Sequence, residues 1–392
     1  MAAQLHRRMV LTGLGAAGLA GCATTPAAPS GVIRPAFQPR SFAPLITHRG
    51  RISRITVCTR PFRAQGPRIE AEAVGDKRVV HNYGHGGSGW SLSWGSAAMA
   101  RDIALEGGVR PVAVIGCGAI GLTSALQILR AGGPVTIYAA ERTPYTRSAR
   151  ATGVWSPDSR IAAEGSVTAD FGDRWEAMSR KSWRDHHAFI GVDGDPVRFI
   201  DQYNLRGGPA DTGPVGPTPT SGSVGFFRSG DRLNGLAPWY REINKTEHPF
   251  PVESVRCGPV MTFNVAEYAR QLTEAFLLEG GRIVQRTFNH PSELATLAEP
   301  VVVNCAGYGA RALFGDQSLT PVRGQITWLT PQPEVTYALW YRSINMVPRH
   351  DGIVIQANGS SQMVGYGVED ETPDRDEAEQ ALAALAPLFA SA

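Results

Sequence analysis

A short apolar stretch, residues 111–115, runs straight into Gly116-Cys117-Gly118-Ala119-Ile120-Gly121, and no other feature restricts the fold of this chain so tightly. Glycines at that spacing meet three needs at once: a tight turn after a strand, close approach of the backbone to a pyrophosphate, and close packing of helix on sheet. The anion then sits at the helix N-terminus. Residues 119–130 read as that helix and residues 135–139 as the next strand, which predicts a βαβ unit. Glu141 stands twenty residues past Gly121, at the end of that strand. An acidic group there suits a ribose diol, and the other reading is a solvated strand-end charge. The fingerprint alone fits FAD and NAD equally.

A second glycine-rich run, His81-Asn82-Tyr83-Gly84-His85-Gly86-Gly87-Ser88-Gly89-Trp90, comes before the fingerprint. Such a run lets amides and carbonyls approach a flat ligand without Cβ interference. Its flanking Tyr83, Trp90 and Trp94 predict a packed segment rather than a free surface loop. Residues 52–58 and 78–80 read as strands, and 92–105 has the composition of a helix. Arg60 lies between apolar residues 55–58 and Pro61-Phe62, so burial is expected, and with it an anionic partner. Residues 207–225 read as a long loop, 266–279 as an amphipathic helix, and 282–285 and 300–307 as strands. The two kinds of element alternate, so each domain is expected to be discontinuous.

The 392 residues suffice for two domains, and a formal charge of +3 with no basic block excludes a nucleic-acid binder. Arg7-Arg8 before a weak apolar run and Leu19-Ala20-Gly21-Cys22 read as a twin-arginine export leader ending in a lipobox. That predicts a periplasmic protein, held to the membrane only through a lipid on Cys22. Residues 23–50 are expected to form a Pro/Ala-rich tether. The remaining cysteines, 58, 117, 257 and 305, are isolated and expected as buried thiols, and no spacing suggests a metal site.

These motifs together resemble the D-amino-acid oxidase family. In that family the H-N-Y-G-H-G-G-x-G run comes near the C-terminus and the glycine fingerprint opens the chain. Thr59-Arg60-Pro61-Phe62-Arg63 and Pro67-Arg68-Ile69-Glu70 resemble the family's R-P-x-R and P-R-x-E. Residues 346–352 resemble the segment just upstream of its last portion. Residues 143–148 and 151–157 are similar to its flavin-contacting stretch, with Arg147 where a second threonine is usual. The resemblance implies a circularly permuted order.

It also implies an α/β fold: a Rossmann-like FAD-binding domain with a second, mixed antiparallel β-sheet domain for the substrate. The expected boundaries are leader 1–22, tether 23–50, FAD-binding domain 51–165 and 255–315, and substrate domain 166–254 and 316–392. FAD would contact Gly116, Gly118, Ala119, Ile120, Gly121, Glu141, Thr146, Arg147, Ser148, Gly153 and Trp155, and Gly86, Gly87, Ser88, Gly89, Trp90 and Ser91 of the glycine run. Arg60 would hold a substrate carboxylate in a bidentate pair and the Gly87 carbonyl would accept the substrate amine. Tyr341 and Asn345 occupy the two family tyrosine positions, Asn345 being the shorter replacement. The implied activity is FAD-dependent oxidation of a D-amino acid, or a related amine, with oxygen or another acceptor taking the electrons. A glycine- or sarcosine-type amine oxidase and a non-catalytic FAD-fold lipoprotein are the alternatives. The resemblance assigns no general base: His81 and His85 are expected as structural hydrogen-bonders.

Overall fold

The computed structural model describes residues 42–208, 210–219, 224–236 and 239–390. The leader and Cys22 lie outside the described residues. The expected tether is corrected at its C-terminal end, because Phe42 packs edge-on against Tyr203, Phe250 and Tyr337. Leu45 is buried beside it, and Tyr337 donates to the Ala43 carbonyl at 2.7 Å. An apolar side chain at each of these positions gave the segment something to bury, which a Pro/Ala reading overlooked.

In chain order the first elements are β1 (Ile52–Arg63), β2 (Arg68–Val74), β3 (Lys77–Tyr83), α1 (Gly89–Ala104), β4 (Val112–Ile115), α2 (Ala119–Arg130) and β5 (Val135–Ala139). Next come α3 (Phe171–His187), β6 (Val197–Arg206), β7 (Arg241–Glu242), β8 (Ser254–Phe263), α4 (Val265–Leu278), β9 (Arg282–Gln285) and β10 (Val301–Asn304). The last are α5 (Ala310–Leu313), β11 (Leu319–Leu329), β12 (Ala338–Tyr341), β13 (Ile344–Arg349), β14 (Gly352–Ala357) and α6 (Arg375–Leu385).

Among the described residues one sheet has six strands in the order β2-β3-β10-β4-β5-β9. All its neighbours are parallel except the antiparallel edge pair β2 and β3. Its central strands are apolar on both faces, as a parallel sheet covered on two sides requires. Val80, Val112, Val114 and Val303 pack under the helices with Leu122 of α2 and Leu272 of α4, while Val79, Ala113 and Val302 face Leu294 and Leu313. This is the expected Rossmann-like sheet.

Among the described residues the second sheet has eight strands in the order β1-β11-β14-β13-β12-β6-β8-β7, and only β12 and β6 pair in parallel. One face carries Tyr203, Leu339, Tyr341, Ile344, Met346 and Ile355 against Leu382 and Leu385 of α6. Two expected assignments are corrected here. Strands β1 and β8, placed by sequence with the FAD-binding part, belong to this sheet: β1 runs antiparallel to β11 from Ile52↔Leu329 to Arg63↔Leu319, and β8 to β6. Local pattern identified both as strands, but the partner strand is a long-range choice.

The start of β1 lies against the last helix. Arg49 is 3.9 Å from Glu379, Arg375 donates to the Arg49 carbonyl, and Ile52 and Phe389 border one apolar cluster.

Candidate active site

A cavity of about 970 Å³ is walled by both sheets. On the six-stranded side its wall is the turn after β4 and the first turn of α2, followed by residues 139–141 at the end of β5. Gly116, Gly118, Ala119 and Ile120 line it, and exposed Glu141 marks one end. Gly121 does not line the cavity. It lies against the Gly116 carbonyl, where a Cβ would come within 2.0 Å of the oxygen, so its role is to let α2 close onto the sheet.

The glycine run divides between a strand and a helix. His81, Asn82 and Tyr83 end β3, and α1 begins at Gly89 rather than near residue 92, so Trp90 and Ser91 occupy its first turn. Between them Gly86 (φ +53) packs so closely on the Arg160 carbonyl that a Cβ would lie 1.8 Å from it. Gly86, Gly87, Gly89, Trp90 and Ser91 line the cavity. Ser88 instead turns away, and its hydroxyl bonds the carbonyls of Ser156 and Ser159 at 3.1 Å.

Several loops are fixed by hydrogen bonds. Ser148 Oγ accepts from Ala119 N at 3.0 Å, at the tip of α2, and its carbonyl accepts from Trp90 Nε1 at 2.8 Å. Trp90 is held from behind: its carbonyl bonds His186 Nε2, while His186 Nδ1 lies 2.8 Å from Tyr268 Oη, which accepts from Trp94 Nε1. One tautomer satisfies this chain, with His186 protonated at Nε2 and accepting at Nδ1. Burial keeps this imidazole neutral and pushes its pKa down to about 3.

Arg147 lines the cavity but its guanidinium leaves it for Glu371 at 2.9 Å, joined by Arg150 at 3.1 Å and by the Thr59 amide at 2.9 Å. Burial would raise the Glu371 pKa, but these donors outweigh it and hold the carboxylate below its ordinary range. Arg147 therefore ties the 147–150 turn to β1.

The eight-stranded sheet supplies the opposite wall. Side chains of paired residues share a face, and Trp340↔Asn345 and Asn345↔Gln356 are successive pairs across β12, β13 and β14. Trp340, Asn345, Gln356, Ile326, Gln202 and Arg60 accordingly all line the cavity. Tyr341 is a correction. It is fully buried on the far face among the α6 contacts, because a two-residue turn at Arg342-Ser343 pairs Tyr341 with Ile344, and not with Asn345. Trp155 is a second correction: it lines a separate groove and packs edge-on against Trp183. Gly153 and Thr146 do line the main cavity.

Arg60 is half-buried, donates to the Arg323 carbonyl at 3.1 Å, and lies over Gly324, where a Cβ would come within 2.1 Å of its guanidinium. No carboxylate pairs with it among the described residues. His81 matches expectation, bonded to Glu72 at 2.9 Å and Asn304 at 3.1 Å. His85 does not: its buried Nε2 has no partner among the described residues, and burial pushes its pKa down to about 3. Cys58, Cys117 and Cys305 are buried free thiols, as expected, and Cys257 is half-buried.

Sequence reasoning missed Arg160, Gln202, Gln356 and Trp340 as lining residues. The sheet residues carried an alternation signal that only their pairing oriented. Arg160 carried none.

A family model described as FAD dependent oxidoreductase, DAO, matches residues 111–392. The chain belongs to the DAO family of FAD-dependent oxidoreductases. It is 26% identical over 289 residues to a D-amino-acid oxidase of Dictyostelium discoideum, covering 71% of this chain and 73% of that one. A D-amino acid oxidase of Dugesia ryukyuensis is 26% identical over 277 residues, 68% and 74% of the two chains. A D-amino-acid oxidase of Streptomyces coelicolor is 30% identical over 215 residues, 55% and 58%. Among solved structures, an L-amino acid deaminase from Proteus vulgaris lacking its specific insertion sequence aligns at TM-score 0.44 and 16% identity, over 71% of this chain and 74% of that one.

The residues of this DAO-family cavity fit FAD. Six arginines line it against two acidic residues, Glu141 and Asp158; Arg228 is paired with Asp158 at 3.0 Å and Arg147 and Arg150 with Glu371, which leaves Arg60, Arg160 and Arg286 without a carboxylate among the described residues. This is a positive field with a helix N-terminus at one end, as a pyrophosphate needs. Buried Thr146 Oγ1 and Asn345 Oδ1 have no partner among the described residues, although both residues line the cavity. When bound, FAD supplies the two-electron acceptor of the reaction.

Proposed function

We propose that this enzyme oxidises a D-amino acid to the imino acid, which water then hydrolyses to the 2-oxo acid. The observation that carries the reading is Arg60, a cavity-lining guanidinium without a carboxylate partner among the described residues, in the same cavity as the dinucleotide fingerprint. In this reading Arg60 holds the substrate carboxylate, Asn345 and the Gly87 carbonyl position the carboxylate and amine, and the 116–120 turn with Ser148 holds the pyrophosphate. Glu141 takes the ribose diol. The substrate amine binds neutral, and no side chain is required as general base: burial leaves His85 a weak base, its pKa pushed down to about 3, and Asp158 is already paired with Arg228. Catalysis is then mainly positioning.

The test is the visible spectrum of the purified protein and its anaerobic bleaching by matched D- and L-amino acids, glycine and sarcosine. Bleaching by D-enantiomers supports the reading. Bleaching by glycine or sarcosine alone replaces it with amine oxidation, and a flavin that no amino acid or amine bleaches refutes turnover. Peroxide formation in air assigns oxygen as the acceptor.

Two further parts of the proposal concern the chain's order and address. A circularly permuted family order is supported by the match beginning at residue 111 and by the contact between Arg49 and Glu379. A periplasmic, lipid-anchored location is supported by Arg7-Arg8 and Leu19-Ala20-Gly21-Cys22. Labelled palmitate incorporated by the wild type and lost in Cys22→Ala tests it.

A further inference from the structure

Arg160 is 6% exposed and yet lines the cavity. Its Nε donates to the Gln362 carbonyl at 2.7 Å, and its two terminal nitrogens have no hydrogen-bond partner or carboxylate among the described residues. Burial, reinforced by the like charges of Arg60 and of Arg228, itself paired with Asp158, pushes its pKa down to about 9. A buried guanidinium beside another cation without a carboxylate, Arg60, is costly unless an anion joins it. Its backbone is also held in an unusual conformation, φ +51, with its carbonyl wedged onto Gly86 of the glycine run. Burial and the Nε bond to the Gln362 carbonyl hold the guanidinium in the cavity wall.

Arg60 and Arg160 also both border a second cavity of about 580 Å³, together with the amides of Gln356 and Asn358. Four acids border that space and none pairs with Arg60 or Arg160 among the described residues: Glu377 pairs with Arg323 at 3.3 Å, Asp374 caps the Glu377 amide of α6, Asp370 accepts from the Thr372 amide, and Asp376 is exposed on α6. An α-carboxylate on Arg60 leaves Arg160 unneutralised.

We propose that the pocket is built for an amino acid with a second carboxylate on its side chain, bound by Arg160 while Arg60 holds the α-carboxylate. This rests on the oxidative reading above and sharpens it to acidic substrates. The comparison that isolates charge from shape is D-glutamate with D-glutamine and D-aspartate with D-asparagine. The wild type should favour each acid over its amide by about tenfold or more in kcat/KM. Arg160→Gln should lower kcat/KM for the acids by about 100-fold while leaving the amides within about threefold. Arg160→Lys, which keeps the charge on a slightly shorter side chain without the guanidinium fork, should retain part of the preference. Both variants keep a Cβ at the same backbone conformation, and FAD content and melting temperature check that they fold.

A binding experiment separates this proposal from the activity. Titrating glutarate and butyrate against the visible spectrum of the flavin-loaded wild type should show glutarate binding at least about tenfold tighter, an advantage lost in Arg160→Gln. If no amino acid is oxidised but glutarate still binds in this Arg160-dependent way, the two-anion pocket stands and the oxidative reading falls. D-Glutamine rivalling D-glutamate in the wild type overturns the proposal. So does an Arg160→Gln variant that weakens acid and amide alike, because Arg160 would then share one carboxylate with Arg60.

Discussion

Replacing Gly121 by alanine probes the joint between helix and sheet on which the cofactor site depends. The new Cβ would lie 2.0 Å from the Gly116 carbonyl oxygen, a backbone atom that cannot rotate away. An ordinary carbon–oxygen contact is about 3.3 Å or more, so the first turn of α2 must retreat by roughly 1 Å. Overpacking of this kind costs about 1–3 kcal/mol, and a fold of this size loses about 1–2 °C of melting temperature per kcal/mol. Without FAD the variant should therefore melt about 1–6 °C below wild type. With FAD the gap should widen. A cofactor present at about 100 times its dissociation constant contributes about 2.7 kcal/mol, and a hundredfold loss of affinity removes nearly all of it. Thermal melts with and without added FAD, together with the flavin released from purified protein, read both effects. Gly89→Ala is the control for the apoprotein, because a Cβ there meets nothing within 4 Å. A Gly121→Ala protein that retains its FAD and melts within about a degree of wild type in both states would refute the reasoning.

Three other perturbations address the opposite wall and the buried titratable groups. Arg60→Ala should retain FAD and its melting temperature but lose about two to four orders of magnitude in kcat/KM; steady-state kinetics beside flavin content decides, and near-normal turnover would move the carboxylate site elsewhere. Glu371→Gln leaves Arg147, Arg150 and the Thr59 amide without their carboxylate, a loss of roughly 1–3 kcal/mol at neutral pH. Because the folded pKa of Glu371 is depressed, that contribution is complete above its ordinary value of 4.5 and disappears as the pH falls through the depressed value. Urea unfolding should show the gap between variant and wild type closing in acid, and a gap that persists there contradicts the ion-pair account. His85 and His186 stay neutral in the fold down to about pH 3 but protonate at 6.5 when unfolded. Stability is thus full above 6.5 and falls in acid by about 1.4 kcal/mol per pH unit for each histidine. Burial also depresses His81 and His248, so His186→Gln should remove only its own share of the slope, about 1.4 kcal/mol per pH unit, in urea titrations between pH 7 and 5; an unchanged slope means His186 is not held neutral.

What the sequence determined by itself is the part governed by short-range pattern. The apolar strand, the glycine turn and the helix of residues 112–130 specify a βαβ unit wherever they occur, because the glycine spacing and the helical period are local properties. The glycine run at 81–90 announced a closely packed wall for the same reason, and both line one cavity in the structure. Tertiary structure decided which face each strand presents and which distant charges meet. Tyr341 and Asn345 part company because the hairpin turns at Arg342-Ser343, both at positive φ, a dipeptide without the Asn-Gly signature that would have revealed the register. Arg147 reaches Glu371, 224 residues away, and β1 pairs with β11, more than 250 residues later. Arg160 is the extreme case. Nothing in its neighbourhood of sequence distinguishes it from a surface arginine, and only the tertiary structure packs its backbone on Gly86, bonds its Nε to the Gln362 carbonyl and buries it. Strand pairing and ion pairing are chosen by the whole chain's burial, so a local window holds their elements but not their partners.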